Sequence, residues 1–200
     1  MRKTPLFLLL LLIQTYSACS LLSEERSFEK EHLKWQKERI EKLTSKSGWL
    51  NLAGLFWLEE GENSIGSDSS NTIIFPWKAP PHIGVYFLKE GEILFRPDHG
   101  SGVKISGKPV SEMKIRTDQS GNPTLLEVNQ FAWFIIERGG KYGIRLRDYE
   151  HPGVRSFHGI ESYPPDKRWK IEAEYEEFEA PFELMIPTIT GTMEKNICPG

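Results

Sequence analysis

The sequence predicts a mainly β chain: an N-terminal amphipathic helix, then an antiparallel β-sandwich and further strands. From Gly48 onward, short β-branched and aromatic runs alternate with Gly and Pro turns. Ahead of them, Glu24 to Ser47 is charged, helix-favouring and free of Gly and Pro. A hydrophobic fraction of 38%, with six Trp and eleven Phe, is enough for a core.

In the helical stretch, at 100° per residue, Phe28, Leu33, Trp35, Ile40 and Leu43 fall within one broad arc. Acidic and basic residues mix on the other side, so the helix is expected to dock on the following domain and not on a membrane. The first set of strands is read at Ser64–Gly66, Thr72–Phe75, Val85–Leu88, Ile93–Arg96, Val103–Ile105 and Val110–Arg116. A second set is read at Thr124–Val128, Ala132–Arg138, Tyr142–Arg147, Trp169–Phe178, Glu183–Ile186 and Thr188–Met193. Arg138-Gly139-Gly140-Lys141 reads as a hairpin tip. The Trp-rich run Trp49 to Leu58 reads as packing between the helix and the first sheet.

The first eighteen residues have the layout of a signal peptide. Arg2 and Lys3 precede an unbroken apolar run, Leu6 to Ile13, which is too short to span a bilayer. Thr15-Tyr16-Ser17-Ala18-Cys19 resembles a lipobox, so Cys19 is expected to carry the lipid and anchor the protein to a membrane of the cell envelope. Tyr16 stands where an aliphatic residue is usual, and simple secretion after a cut at Ser20 is the alternative. The chain divides into a signal peptide (1–18), a tether with the helix (19–47), a sandwich-like domain (48–116) and a second β region (117–200). The last region is expected to be truncated. Ile186 to Thr192 reads as a strand with more to come, and Cys198-Pro199-Gly200 as a turn.

Charge and cysteines narrow the chemistry. With 25 Lys plus Arg against 28 Asp plus Glu, the net charge is −3. Removing Arg2 and Lys3 takes it to −3 − 2 = −5. That balance argues against a nucleic-acid partner, which needs a basic surface to displace counterions. With Cys19 lipidated, Cys198 is the only remaining thiol, which leaves no internal disulfide and no cysteine-based zinc site. The five histidines lie at positions 32, 82, 99, 151 and 158, at no familiar ligand spacing. Neither a metal nor a cofactor is expected. No P-loop, dinucleotide fingerprint, nucleophile elbow or zinc-protease motif is present.

Two resemblances emerge from ordered motifs. Trp35, Gly48-Trp49-Leu50, Gly54-Leu55, Trp57-Leu58, Asn63 and Ile65-Gly66-Ser67 come first. Gly143 to Asp148, Pro152, Arg155, Phe157 to Ile160, Tyr163-Pro164, Ile186-Pro187-Thr188 and Gly191-Thr192 follow in order. Together they resemble the bacterial family called domain of unknown function 1684, minus its last third. That resemblance implies no reaction, and it strengthens the expectation of truncation. Within it, Gly61 to Val110 resembles a degenerate forkhead-associated domain, a β-sandwich that reads phosphothreonine. Ile65-Gly66-Ser67, Asn71-Thr72-Ile73 and Ser106-Gly107 stand at its signature places. Ser67 replaces the phosphate-gripping Arg, and the positions of the loop Ser and structural His fall near Pro81 and Gly84. The resemblance implies the fold; without the guanidinium fork, phosphothreonine recognition is not expected.

The densest polar cluster is Arg145, Arg147, Asp148, Glu150, His151, Arg155 and His158. Arg145 and Arg147 share one face of a strand and, with Arg155, could clamp an anion, with Asp148 or His158 as base. The competing reading is a structural Arg-to-Asp lock at the strand end, and the lock is the reading favoured here. The sequence thus points to a non-catalytic binding or scaffolding module with an unknown protein or small anionic ligand. An enzyme acting on a small anionic substrate through the arginines is the alternative.

Overall fold

The computed structural model describes residues 27–188 and 191–199. Cys19 and the leader lie outside the described residues. The fold is mainly β: an N-terminal helix, α1 (27–44), leads into two sheets packed face to face, followed by an irregular segment and a hairpin.

In chain order the sandwich strands are β1 (Leu52–Trp57), β2 (Gly61–Gly66), β3 (Ile73–Ile74), β4 (Gly84–Lys89) and β5 (Glu92–Pro97). They continue with β6 (Lys104–Ile105), β7 (Lys108–Pro109), β8 (Met113–Lys114), β9 (Leu126–Val128), β10 (Phe131–Arg138) and β11 (Lys141–Asp148). One sheet runs β1-β11-β10-β9-β6-β7; the other runs β3-β2-β4-β5-β8. Pairing is antiparallel except between β2 and β3. Strands from both sides of residue 116 share the first sheet, so the division expected after Arg116 runs through one sandwich.

Period-two alternation decides what faces inward. Tyr86, Leu88, Ile93 and Phe95 from one sheet meet Trp133, Ile135, Ile144 and Leu146 from the other, all buried. The Trp133 indole donates to the Tyr86 hydroxyl at 2.9 Å, which satisfies both polar atoms inside the core. That burial pushes the Tyr86 phenol far above its usual range, and the indole bond offsets only part of the shift. Phe75 packs edge-on against Trp133, with ring centroids 5.5 Å apart. Three glycines are forced. Gly139 and Gly140 both take positive φ at the β10–β11 hairpin tip, and a side chain on Gly66 would sit 2.1 Å from the Pro81 carbonyl.

Outside the sandwich, packing thins. Phe28, His32, Gln36, Ile40 and Leu43 form the half-buried stripe of α1, and Leu33 and Trp35 stay exposed. The expected arc therefore includes two residues that point outward; the i, i+4 ladder that does face the protein includes His32 and Gln36. Gln36 donates to Ser162. A short helix α2 (Pro152–Arg155) follows β11, and then irregular chain leads to the hairpin β12 (Phe182–Pro187) and β13 (Met193–Cys198). The strand expected at Trp169–Phe178 does not form. Of the strand expected at Thr188–Met193, Met193 lies in β13, Thr188, Gly191 and Thr192 lie in no strand, and positions 189 and 190 lie outside the described residues.

Candidate functional site

The arginine-rich corner separates into three places. Arg145 and Arg147 do share the outer face of β11, as their spacing requires. Asp148, one residue on, turns to the opposite side and is buried. There it accepts from the Gln130 amide at 2.9 Å and from the Glu150 N–H at 2.8 Å, holding the loop that leaves the strand. The expected lock between the arginines and Asp148 is thus absent, because neighbouring residues of a strand cannot point the same way.

Arg147 makes a different tie. It donates from Nη1 to the Gly48 carbonyl at 2.5 Å and to Asn51 Oδ1 at 2.9 Å, and its guanidinium lies 5.9 Å from the Phe134 ring centre. Burial lowers its pKa first; Tyr149 acts in the opposite direction, and the like charge of Arg145 adds to the lowering. Arg145 makes no hydrogen bond or ion pair among the described residues, so its charge acts at a distance. Arg155 is exposed and reaches Glu150 at 3.5 Å, which also meets Lys78 at 3.7 Å. His158 is exposed, without a partner among the described residues. Arg155 and His158 therefore do not join Arg145 and Arg147 in one site.

Asn51 is the residue that sequence reasoning missed. It is buried, and its amide donates to the carbonyls of Ser45 at 3.0 Å and Lys46 at 2.7 Å. Its side-chain Oδ1 accepts from Arg147 Nη1 at 2.9 Å, and its main-chain carbonyl accepts from the Asp148 N–H at 2.8 Å. One side chain thus joins the turn after α1 to the end of β11. The signal was there: a lone polar residue inside Leu50-Asn51-Leu52 must be either exposed or fully bonded.

The loops that resemble a phosphate reader are also committed to structure. Ser67 Oγ donates to the Ala79 carbonyl at 2.7 Å. The buried Asn71 donates to the carbonyls of Asp68 at 2.9 Å and Pro81 at 2.8 Å. These contacts fix the loop and present no cationic fork at Ser67.

A concave surface lies elsewhere, between α1 and residues 163–170. It is a groove of about 850 Å³ walled by Phe28, His32, Tyr163, Pro164, Pro165 and Trp169. Tyr163 is 92% exposed and Trp169 79%. Asp166 and Arg168 pair at 2.6 Å on its rim, and that pairing holds the carboxyl below the usual range. The Nε2 atom of His32 is shielded from solvent without a hydrogen-bond partner.

No family model matches this chain, and no curated protein matches it either. Solved structures do resemble part of it. One is described as "Rv0020c_FHA Structure", FHA standing for forkhead-associated: 13% identity, TM-score 0.32, 46% of this chain and 88% of that one. A second comes from work on phosphothreonine-dependent FHA domain interactions: 15% identity, TM-score 0.28, 46% of this chain and 92% of that one. A third is the FhaA FHA domain complexed with the intracellular domain of Rv3910, with the same identity, TM-score and share of this chain, and 97% of its own. The sandwich assignment rests on the two sheets and their shared core.

Proposed function

We propose that this chain is a non-catalytic binding module of the cell envelope, exported and held to a membrane by lipid on Cys19. Its working surface is the aromatic flank formed by α1 and the chain beyond Tyr163. The observation that carries the reading is that flank itself. A groove walled by Phe28, Tyr163 and Trp169, with Tyr163 and Trp169 left largely in water, is a surface suited to a partner. The motifs that resemble domain of unknown function 1684 belong to the same reading. A phosphothreonine ligand does not, because Ser67 stands where a guanidinium is needed.

Two measurements test it. Labelled palmitate should enter the wild type and not Cys19→Ala; equal labelling, or a mature N-terminus at Leu21, sinks the anchor. Oxidative footprinting should show Tyr163 and Trp169 protected in intact envelopes and reactive in the purified protein. Equal reactivity in both sinks the binding surface.

The second reading, an enzyme on a small anionic substrate, is favoured by one observation: Arg145 is without a hydrogen-bond or ion-pair partner among the described residues, beside the cationic Arg147. Under that reading phosphate raises the melting temperature of the wild type, and Arg145→Ala abolishes the rise.

A further inference from the structure

The groove between α1 and residues 163–170 gathers one kind of chemistry in one place. Its walls carry the rings of Phe28, Tyr163 and Trp169, and Arg168 and Lys170 stand among them with exposed side chains. Tyr and Trp settle at the level of lipid headgroups, because each ring is apolar at one end and bears a hydrogen-bonding group at the other. Lys and Arg fit the same layer: their stems lie along apolar surface while their heads stay in water. The two cations do not call for an anionic partner. Arg168 pairs with Asp166 at 2.6 Å and Lys170 with Glu172 at 3.5 Å. What the groove offers is aromatic area.

Its place along the chain decides what covers it. Phe28 stands nine residues after Cys19. Nine residues span at most ~32 Å in any conformation, and a domain of this length is roughly 40 Å across. With lipid on Cys19, Phe28 cannot lie at the pole farthest from the bilayer. Further along α1 the exposed face pairs Lys34 with Glu38 at 3.8 Å and Lys37 with Glu41 at 3.9 Å. That mixed, solvated face has no reason to enter lipid, so contact ends with the first turns of the helix. A tether this short makes contact with the bilayer intramolecular, at an effective concentration on the order of millimolar. A groove too weakly apolar to hold a free protein on a membrane therefore suffices for an anchored one.

We propose that this groove docks on the membrane that holds the protein: Tyr163 and Trp169 enter the headgroup layer, and Phe28 holds the start of α1 beside it. The proposal rests on reading the flank as a surface suited to a partner and Cys19 as the anchor, and it names the bilayer itself as that partner.

Quenching by brominated lipid tests it. The exported form of the full chain is reconstituted in phosphatidylcholine vesicles, plain or brominated high on the acyl chains. Brominated lipid should quench part of the wild-type tryptophan emission. Trp169→Phe should lose at least half of that quenching. Trp77→Phe, at an exposed ring in the loop between β3 and β4, should keep it. Both rings lie in water, so neither variant threatens the fold. Equal quenching in all three proteins, or none in any, overturns the proposal. So does quenching that appears only when phosphatidylglycerol is mixed in, since charge and not the rings would then be the attraction. Protection of Tyr163 and Trp169 in intact envelopes without lipid quenching keeps the flank as a binding surface for a protein and removes the bilayer as its partner. Absence of palmitate from Cys19 removes the tether, and the proposal falls with it.

Discussion

Trp133 and Trp169 carry the same ring, yet the sandwich closes completely around the first while 79% of the second stays in water. The difference lies in the layers available to each. Trp133 projects from β10 between two sheets and finds Tyr86, Phe75 and a hydrogen-bond acceptor waiting. Trp169 ends a short helical turn in the irregular chain after α2, outside both sheets of the sandwich. Apolar residues therefore do not guarantee a core; a second surface does.

The sharpest way to break this comparison is to truncate both rings. Trp133→Ala should cost about 3–5 kcal/mol and strand the Tyr86 hydroxyl. Trp169→Ala in the isolated protein should stay within about 0.5 kcal/mol of wild type. Urea melts of the two variants would read this directly. Comparable losses would mean that the flank is as tightly packed as the sandwich.

Asn51 is where the two regions meet. Asn51→Ala removes three side-chain hydrogen bonds and should cost about 1–3 kcal/mol, measured as a lower denaturation midpoint. Faster amide exchange in α1 than in β10 should accompany it. An equal loss of protection in both would show that helix and sandwich unfold as one unit.

Next in size is the arginine corner. Arg147 and Asp148 have separate side-chain partners on opposite faces of the sheet. Arg147→Ala and Asp148→Ala should therefore add to within about 0.5 kcal/mol in the double variant. A double variant much less destabilised than the sum of the singles would restore the direct lock that the geometry denies.

Much of the sandwich was legible because strict alternation survives wherever one face is buried. Val85–Leu88, Ile93–Arg96, Ala132–Arg138 and Tyr142–Arg147 all became strands within a residue or two. β1 was hidden: a register shift between Leu52 and Gly54 breaks its alternation, and its partner β11 lies some ninety residues away. Trp169 to Tyr175 shows the converse. Trp169, Ile171, Ala173 and Tyr175 alternate with Lys170, Glu172 and Glu174, as a strand should, yet none forms. Pattern states a preference for a half-buried face, and pairing needs an edge to join. For the candidate site, the shared face of Arg145 and Arg147 followed from period two. What the Arg147 guanidinium touches depended on Gly48 and Asn51, nearly a hundred residues earlier.

The smallest expected effect compares two carboxylates, one in each region. Asp118 sits beside β10, where partial burial alone would raise its pKa. The Arg138 bond at 2.7 Å, the Glu137 N–H at 3.0 Å and the charges of Arg138 and Arg145 outweigh that and hold it below the usual range. A depressed folded pKa means that the stabilisation is complete above the unfolded value of about 3.9 and fades as pH falls through the folded one. Arg138 is more than a third exposed, so solvent screening keeps the contribution under about 1 kcal/mol. Asp166 in the flank is depressed as well, by its hydrogen bonds to Arg168, but it pairs with a residue two positions away and ties nothing distant together. Asp118→Asn should therefore flatten the loss of stability between pH 4 and pH 2 (about the carboxylate range), and Asp166→Asn should leave it unchanged. Acid melts that respond equally to both would mean that the flank's ion pair is as well anchored as the sandwich's, and the contrast between the two regions would fall.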